Sequence, residues 1–502
     1  MNTNTKPSPS SGQNHISQYV FLGLKWNHLI LILPILVLAF VLLSNPNGFT
    51  SIDSFYHYTL AEELPGPHEF RWLPKTIYQE GFFDRHYLFH LALYPFVQLF
   101  HLHGAHLFVL LIDIALAFCV YYFFRYLNIP TPLLWSLFFF FSSPLFLVRL
   151  SQLRPIGLSI CLWIGVYYTL FTNKKWGLFA LLAVYGYSYS SYFSLLLIPF
   201  VFYLIRAERI ENKNIFLFLQ CGFILLLVSF INPYFPYSVL NLAEYALAKT
   251  EGESFKILMA SEWRSIDSWH LITLFWPLWT VMIGFFLCYR NIKIQWNETL
   301  TVFFLISLIC FILSCKSIRF IDYWIPNLCI FLALFHKNII ESTSPEKEVF
   351  SFKLFLCLLV GAAALITSLN YSHSMANRYR DTRTLKQAAM WLKNNVKENE
   401  IIVNMTQDSF PELLFHNRQN TYLTGMDFKY LSRQSPSLAH DYIQLKTGIN
   451  QNPADFVKRH NLGSYLFVDK RYSKGLRFDQ IPKTYRVYED RAAVIYKIEL
   501  TP

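Results

Sequence analysis

The chain has 502 residues, of which 54% are hydrophobic, 18% aromatic and 15% charged, with a formal net charge of +11. That balance excludes an ordinary soluble protein and points to the polytopic α-helical membrane class. The excess of Lys and Arg is accounted for by basic loops that set topology, so no nucleic-acid partner is expected.

Residues 1–27 are polar and lack the short basic start and small-residue cleavage site of a secretory signal. The first apolar span is therefore expected to remain as an anchor behind a cytoplasmic tail. Candidate spans are His28–Ser44, Gly104–Leu127, Pro132–Val148, Pro155–Phe171, Trp176–Ile205, Ile215–Ile231, His270–Tyr289, Thr299–Ser314, Phe320–His336 and Ser351–Leu369. Most approach the roughly 20 residues that cross hydrocarbon. Trp176–Ile205 is interrupted by YGYSYSSY. A hairpin of two short crossings or a re-entrant pair is expected there, which brings the count to about eleven.

Cations recur at every second connection: Arg125, then Lys174 and Lys175, then Arg206, Arg209 and Lys213, then Arg290 and Lys293, then Lys337 and Lys347. The positive-inside rule places these and the N-terminus in the cytoplasm of a cell whose plasma (inner) membrane holds the chain. The long first loop 45–103, the Arg149–Arg154 connection, the loop Asn232–Trp269 and the turn Cys315–Arg319 then share the outer face. This arrangement requires Tyr87–Phe100, with His90 on an otherwise apolar face, to lie in the interface rather than cross. Every long connection falls outside, and chemistry is expected there.

The membrane body is expected to occupy 28–371. From Ser372 to Pro502 charge is dense and long apolar runs are absent. TLKQAAMWLKNNV has helical spacing, with Leu385, Ala388, Ala389, Trp391 and Leu392 on one side, and IIVNM, TYLTG, SYLFVD and AAVIYKIEL read as short strands. The expectation is a small extracytoplasmic α/β domain over 372–502 with a core of its own. All eight cysteines lie in or beside apolar spans, which excludes a disulfide framework in this domain; no Cys/His cluster has zinc spacing.

Within the first loop, Asp53 lies at the outer mouth of the first span, close to Tyr56 and His57. A partly desolvated carboxylate there suits a base, whereas Asp before the helical pattern SFYHYTLAEEL equally suits a cap. In DRHYLFH, an extended chain would turn Asp84 and His86 to one side, toward a cation or a phosphate-bearing ligand. A helical one would make Asp84 the cap and pair His86 with His90. Glu262 lies in MASEWRSIDSW, in the second-longest outer loop. Lys316 and Arg319, and likewise Arg149 and Arg154, stand at helix mouths of the same face. They either anchor headgroups generically or grip one lipid phosphate, for which arginine's fork is suited. Asp113 and Asp322 fall within or near apolar spans, and Asp322 is placed to pair with Arg319.

The order of these features resembles the GT-C class of integral-membrane glycosyltransferases. SIDSFYHY looks like that family's acidic first-loop pattern, SEW is similar to a short motif of oligosaccharyltransferase loops, and SIRFIDYWIP supplies an Arg-Phe before a span. The resemblance implies that Asp53 is the catalytic carboxylate and that Arg319 holds the lipid phosphate. It also implies that Glu262 helps close the site, with Tyr56, His57, Asp84 and His86 binding substrate. Oligosaccharyltransferases carry a second acidic pair after the third span, where this chain reads RLSQLRP. That departure weighs against a required divalent cation and against transfer to asparagine. Were a cation such as Mg or Mn held, Asp84 and His86 would be the residues at hand.

The function these features imply is transfer of a sugar from a polyprenyl-(pyro)phosphate donor to an acceptor glycan, lipid or protein at the outer face of the bilayer. A transporter or flippase of lipid-linked substrates would instead carry internal repeats and a polar path at mid-membrane. A non-catalytic scaffold would need neither.

Overall fold

The computed structural model describes residues 29–44, 46–64, 70–189, 191–206, 213–240, 265–289, 295–342, 346–378, 380–449, 452–472, 476 and 478–500. Helix α1 (Leu33–Ser44) leads through strand β1 (Gly48–Phe49) into α2 (Asp53–Glu63), which the sequence placed in the outer loop. Helix α3 (Tyr87–Tyr126) folds back at His101, where φ is 51°. The turn is tight: a Cβ on Gly104 would stand 1.9 Å from the Phe96 carbonyl oxygen, so only glycine lets the second arm pass the first. The first arm corresponds to the amphipathic segment Tyr87–Phe100, and the second to the expected span Gly104–Leu127.

Pro132–Val148 is not one span. It consists of α4 (Pro132–Phe141) and α5 (Pro144–Leu150), bent by 85°. Pro144 explains the break, because it has no N–H to continue the α4 ladder but suits the first turn of a new helix. As a result Arg149 sits in α5 rather than in a loop. Next come α6 (Ile156–Phe171), α7 (Lys175–Ser188), a 3₁₀ turn (Tyr192–Leu196), α8 (Leu197–Arg206) and α9 (Lys213–Phe230), so Trp176–Ile205 is indeed interrupted. His270–Tyr289 divides into α10 (Ser268–Thr273) and α11 (Trp276–Tyr289). The body closes with α12 (Glu298–Ser314), α13 (Ile321–Ser342) and α14 (Glu346–Arg378), the last two longer than their apolar runs. Among the described residues three helices are long and apolar enough to cross a membrane, or four if the bent pair counts as one span. The other apolar helices are shorter, so the figure of eleven crossings is not reached by this measure.

After α14 the chain forms β2 (Arg380–Asp381), α15 (Lys386–Asn395), β3 (Ile401–Asn404), α16 (Phe410–His416), β4 (Thr421–Tyr422), α17 (Phe428–Gln434), α18 (Pro436–Thr447), α19 (Pro453–His460), β5 (Tyr465–Asp469), β6 (Thr484–Glu489) and β7 (Ala493–Ile498). The sheet order is β4-β3-β5-β7-β6, with β3 parallel to β4 and β5 and the remaining pairs antiparallel. The four runs read as strands supply β3, β4, β5 and β7, whereas β6 had no expectation.

Alternation along these strands buries both faces. Val403, Leu466, Val468 and Val494 point to one side, where α17, α18 and α19 bring Leu431, Tyr442 and Val457. Ile402, Phe467 and Ile495 point to the other, where α15 and α16 are joined by Phe70, Trp72, Leu73, Tyr78 and Phe82 from the first outer loop. The loop therefore completes the domain's core, and backbone bonds register it. Gly48 pairs with Asp381 across β1 and β2, and Tyr422 N donates to the Trp72 carbonyl at 2.8 Å. Trp72 Nε1 donates to the Arg418 carbonyl at 3.1 Å, and the Arg418 guanidinium holds both Glu62 and Glu63 at the end of α2.

Trp72→Ala is expected to lower the stability of the purified protein by about 3–5 kcal/mol, the usual cost of truncating a buried tryptophan. Trp72→Phe, which loses the N–H but keeps a ring, should lose less. Thermal unfolding in detergent measures both, and an alanine variant with an unchanged midpoint would show that the loop is not part of that core.

Candidate active site

Asp53 is the first residue of α2, and no side-chain bond caps that helix. Its carboxylate, 40% exposed, faces Arg154 Nη1 at 3.3 Å. Arg154 is brought there by stitches between α2 and the connection from α5 to α6. Thr50 Oγ1 donates to the Ser151 carbonyl at 3.0 Å, and Leu153 N donates to Ser54 Oγ at 3.2 Å. Across the opening stands Asp408, in the C-terminal domain. Its carboxyl group is pushed up by burial and then by the negative charge of Asp53, against the opposing cations Lys446 and Arg380. The sequence gave no signal for Asp408, because its relation to Asp53 exists only once the domain folds over the loop.

One turn along α2, His57 begins a buried chain. His90 Nδ1 donates to Asp84 Oδ2 at 2.6 Å, and His90 Nε2 meets His57 Nδ1 at 2.7 Å. Asp84, His90 and His57 are 2%, 0% and 4% exposed. Burial pushes the Asp84 carboxyl upward, but the His90 imidazole and the His86 amide outweigh it and hold the group below its ordinary value. Burial, with His90, His86 and Arg154 nearby, pushes His57 well below an ordinary imidazole. His86 is pushed down to about 3, first by burial and next by His90, while its Nδ1 donates to the Ser188 carbonyl at 3.1 Å. Thus the helical alternative for DRHYLFH is the one adopted, with Asp84 bonding the His86 amide ahead of α3 and reaching His90. Tyr56 and Asp84, expected to meet substrate, are instead covered: Tyr56 by Phe70 and His57, Asp84 by His90.

Deeper in the body, Asp322 of α13 pairs with Arg149 of α5 and not with Arg319; both carboxylate oxygens are engaged, one by Nη2 at 2.6 Å. The bend at Pro144 aims α5 at α13, whereas Arg319 lies in the 3₁₀ turn Ile318–Phe320 before the helix starts. Tyr185 and Tyr323 hydroxyls meet at 2.7 Å beside this pair. An apolar cavity of about 330 Å³ is lined by Trp163, Phe193, Leu197, Phe200, Ile309 and Phe320, the residue that follows Arg319. Glu262 lies outside the described residues.

Among the described residues no group of three or more His, Cys, Asp or Glu side chains could hold a metal ion. Asp53 faces a guanidinium, Asp84 is committed to His90 and the His86 amide, and the His86 Nδ1 is bonded to Ser188. These donors do not fit a divalent cation.

Three solved structures are similar to this one in overall fold. The archaeal oligosaccharyltransferase AglB from Archaeoglobus fulgidus, in complex with an inhibitory peptide and a dolichol-phosphate, matches with a TM-score of 0.58 at 12% identity, over 89% of this chain and 70% of that one. The Archaeoglobus fulgidus oligosaccharyltransferase tethered to an acceptor peptide containing the NVT sequon matches with a TM-score of 0.61 at 12% identity, over 94% and 74%. ArnT from Cupriavidus metallidurans bound to undecaprenyl phosphate matches with a TM-score of 0.55 at 13% identity, over 94% and 97%. The chain has the GT-C fold. At these identities the likeness is one of fold. No family model matches the chain, and no curated protein does.

Because His57 is held neutral, its contribution to stability is full above the unfolded imidazole pKa of about 6.5 and is lost as pH falls toward the depressed folded value. Thermal stability is therefore expected to fall between pH 7 and pH 5, by up to about 1.4 kcal/mol per pH unit for each histidine that must charge on unfolding. Asp84 adds a second loss below about pH 4, where its unfolded carboxylate begins to take protons. His57→Asn should shallow the upper window, and equal slopes for variant and wild type would show that His57 is not held neutral. In the body, Arg149→Ala is expected to cost about 3–5 kcal/mol by stranding Asp322, whereas Arg149→Ala combined with Asp322→Ala should cost less than the single change. A double variant no more stable than the single one would show that the pair is not coupled.

Proposed function

We propose that this protein is an integral-membrane glycosyltransferase that moves a sugar from a polyprenyl-phosphate donor to an acceptor at the outer face of the plasma (inner) membrane. Its N-terminus is cytoplasmic and its C-terminal domain extracytoplasmic. The observation that carries this reading is the Asp53–Arg154 pair, a half-exposed carboxylate beside a guanidinium where α2, the α5–α6 connection and the C-terminal domain meet. The apolar cavity that Phe320 lines suits an isoprenoid chain whose phosphate is held at the mouth. Dolichol-phosphate and undecaprenyl phosphate in two structures of the same fold support a lipid-linked donor.

The reaction is displacement at the anomeric carbon. The acceptor's nucleophile forms the new bond as the sugar–phosphate bond breaks, and the lipid phosphate leaves with the electron pair. Asp53 orients or deprotonates the acceptor, while Arg319 and Arg154 stabilise charge growing on the leaving phosphate. His57 and His86 border the acceptor side, and Glu262 is assigned to closing the site on its motif alone. A monophosphate donor is favoured because RLSQLRP supplies no second acidic pair after the third span.

Purified protein given a radiolabelled polyprenyl-phosphate sugar and membrane extract as acceptor source should transfer label, and Asp53→Asn should lower kcat by about 10²-fold or more, the scale of loss when a group that orients the reactants is removed. Full turnover by that variant would remove Asp53 from the reaction.

A further inference from the structure

The sugar-transfer reading leaves Asp84 and His90 without a task and gives His57 no chemical step. Asp84, His90 and His57 form a line through the protein interior with bonds of 2.6 and 2.7 Å, and no member is more than 4% exposed. Burying three such groups costs folding free energy unless each is bonded, and a satisfied chain fixes where every proton sits. That placement follows from the acid end. An ionised carboxylate only accepts, so His90 carries its proton on Nδ1. With His90 in its neutral form, its bare Nε2 accepts and His57 donates from Nδ1. The Nε2 of His57 is left as a lone pair, with no hydrogen-bond partner among the described residues.

The His57 ring lies near the Asp53–Arg154 pair. His57 is one helical turn from Asp53 on α2, and the Arg154 that pairs with Asp53 lies within electrostatic reach of it. Its ring is 5.1 Å from that of His86, whose ring is 5.9 Å from Tyr189. The groups facing His57 are thus His90 and His86 from the first arm of α3, Arg154 from the α5–α6 connection, and Asp53 and Tyr56 on its own helix.

We propose that His57 Nε2, locked in its tautomer by the Asp84–His90–His57 chain, takes the proton of the acceptor's nucleophile, while Asp53 and Arg154 position that nucleophile and the leaving phosphate. This rests on the sugar-transfer reading above. As the acceptor–carbon bond forms and the carbon–oxygen bond to the phosphate breaks, the proton passes to His57, making an imidazolium. Its Nδ1–H is held by His90, which Asp84 in turn steadies. The proton then leaves to solvent or to the departing phosphate, and the lone pair returns. The arrangement follows the general logic of a base oriented by a second group and a buried acid.

Nitrogen-15 histidine NMR of the wild-type protein in micelles should find His57 protonated on Nδ1 and bare on Nε2. His57→Ala should lower kcat about 100-fold or more while the KM for the lipid donor changes less than about twofold, and added imidazole should restore part of the rate with a new pH dependence. A residue that only packed would not be rescued by imidazole. Asp84→Asn, nearly isosteric, should slow turnover similarly by releasing the tautomer, and it carries the kinetic test if His57→Ala does not fold. Wild-type His57 found protonated on Nε2, or His57→Ala turning over at the wild-type rate, would overturn the proposal and leave the sugar-transfer reading standing. Wild-type protein that transfers no sugar would overturn both.

Discussion

Helix α2 is held at both ends, and the geometry of the mouth depends on that restraint. At its start, Asp53 faces Arg154, and Ser54 accepts from the Leu153 amide. At its end, Glu62 and Glu63 share the Arg418 guanidinium of the C-terminal domain. An isolated eleven-residue helix is marginal in water, so these tertiary restraints decide its orientation. A carboxylate and an imidazole one turn apart keep a constant separation only while both clamps hold. Catalytic groups on a helix fixed in this way need less reordering when substrate arrives.

The histidine chain and the Arg149–Asp322 pair handle buried charge in different ways. In the body, a guanidinium and a carboxylate neutralise one another with both carboxylate oxygens engaged, which limits the desolvation cost. In the loop, Asp84 is steadied through His90 and His57, and burial disfavours a charge on the His57 imidazole. The first device fixes α5 against α13. The second leaves a proton acceptor at the mouth.

Much of this was legible because it is local. The crowding of Asp53, Tyr56, His57, Asp84, His86 and His90 into one polar stretch between apolar spans marked the loop, and the alternating runs around Ile402, Phe467 and Ile495 marked the sheet. Other features were hidden because they depend on contacts distant in sequence. Asp322 was matched to its neighbour Arg319, yet it pairs with Arg149, 173 residues away, since the bend at Pro144 redirects α5. Periodicity marked a helix through Pro132–Val148 because apolarity continues across a break that only the missing proline N–H reveals. Asp408 was not visible at all, and Tyr56 looked like a binding residue until the domain covered it.

The shared core imposes an order of synthesis. Phe70, Trp72 and Phe82 are made about 400 residues before Phe467 and Ile495, which cover them, a delay on the order of tens of seconds at ribosomal speed. During that time the loop presents a patch of aromatic rings with no permanent neighbour. The nascent chain must shelter it until strands β5 and β7 are made. Those strands are thus the ones that finish the structure around the first polar loop.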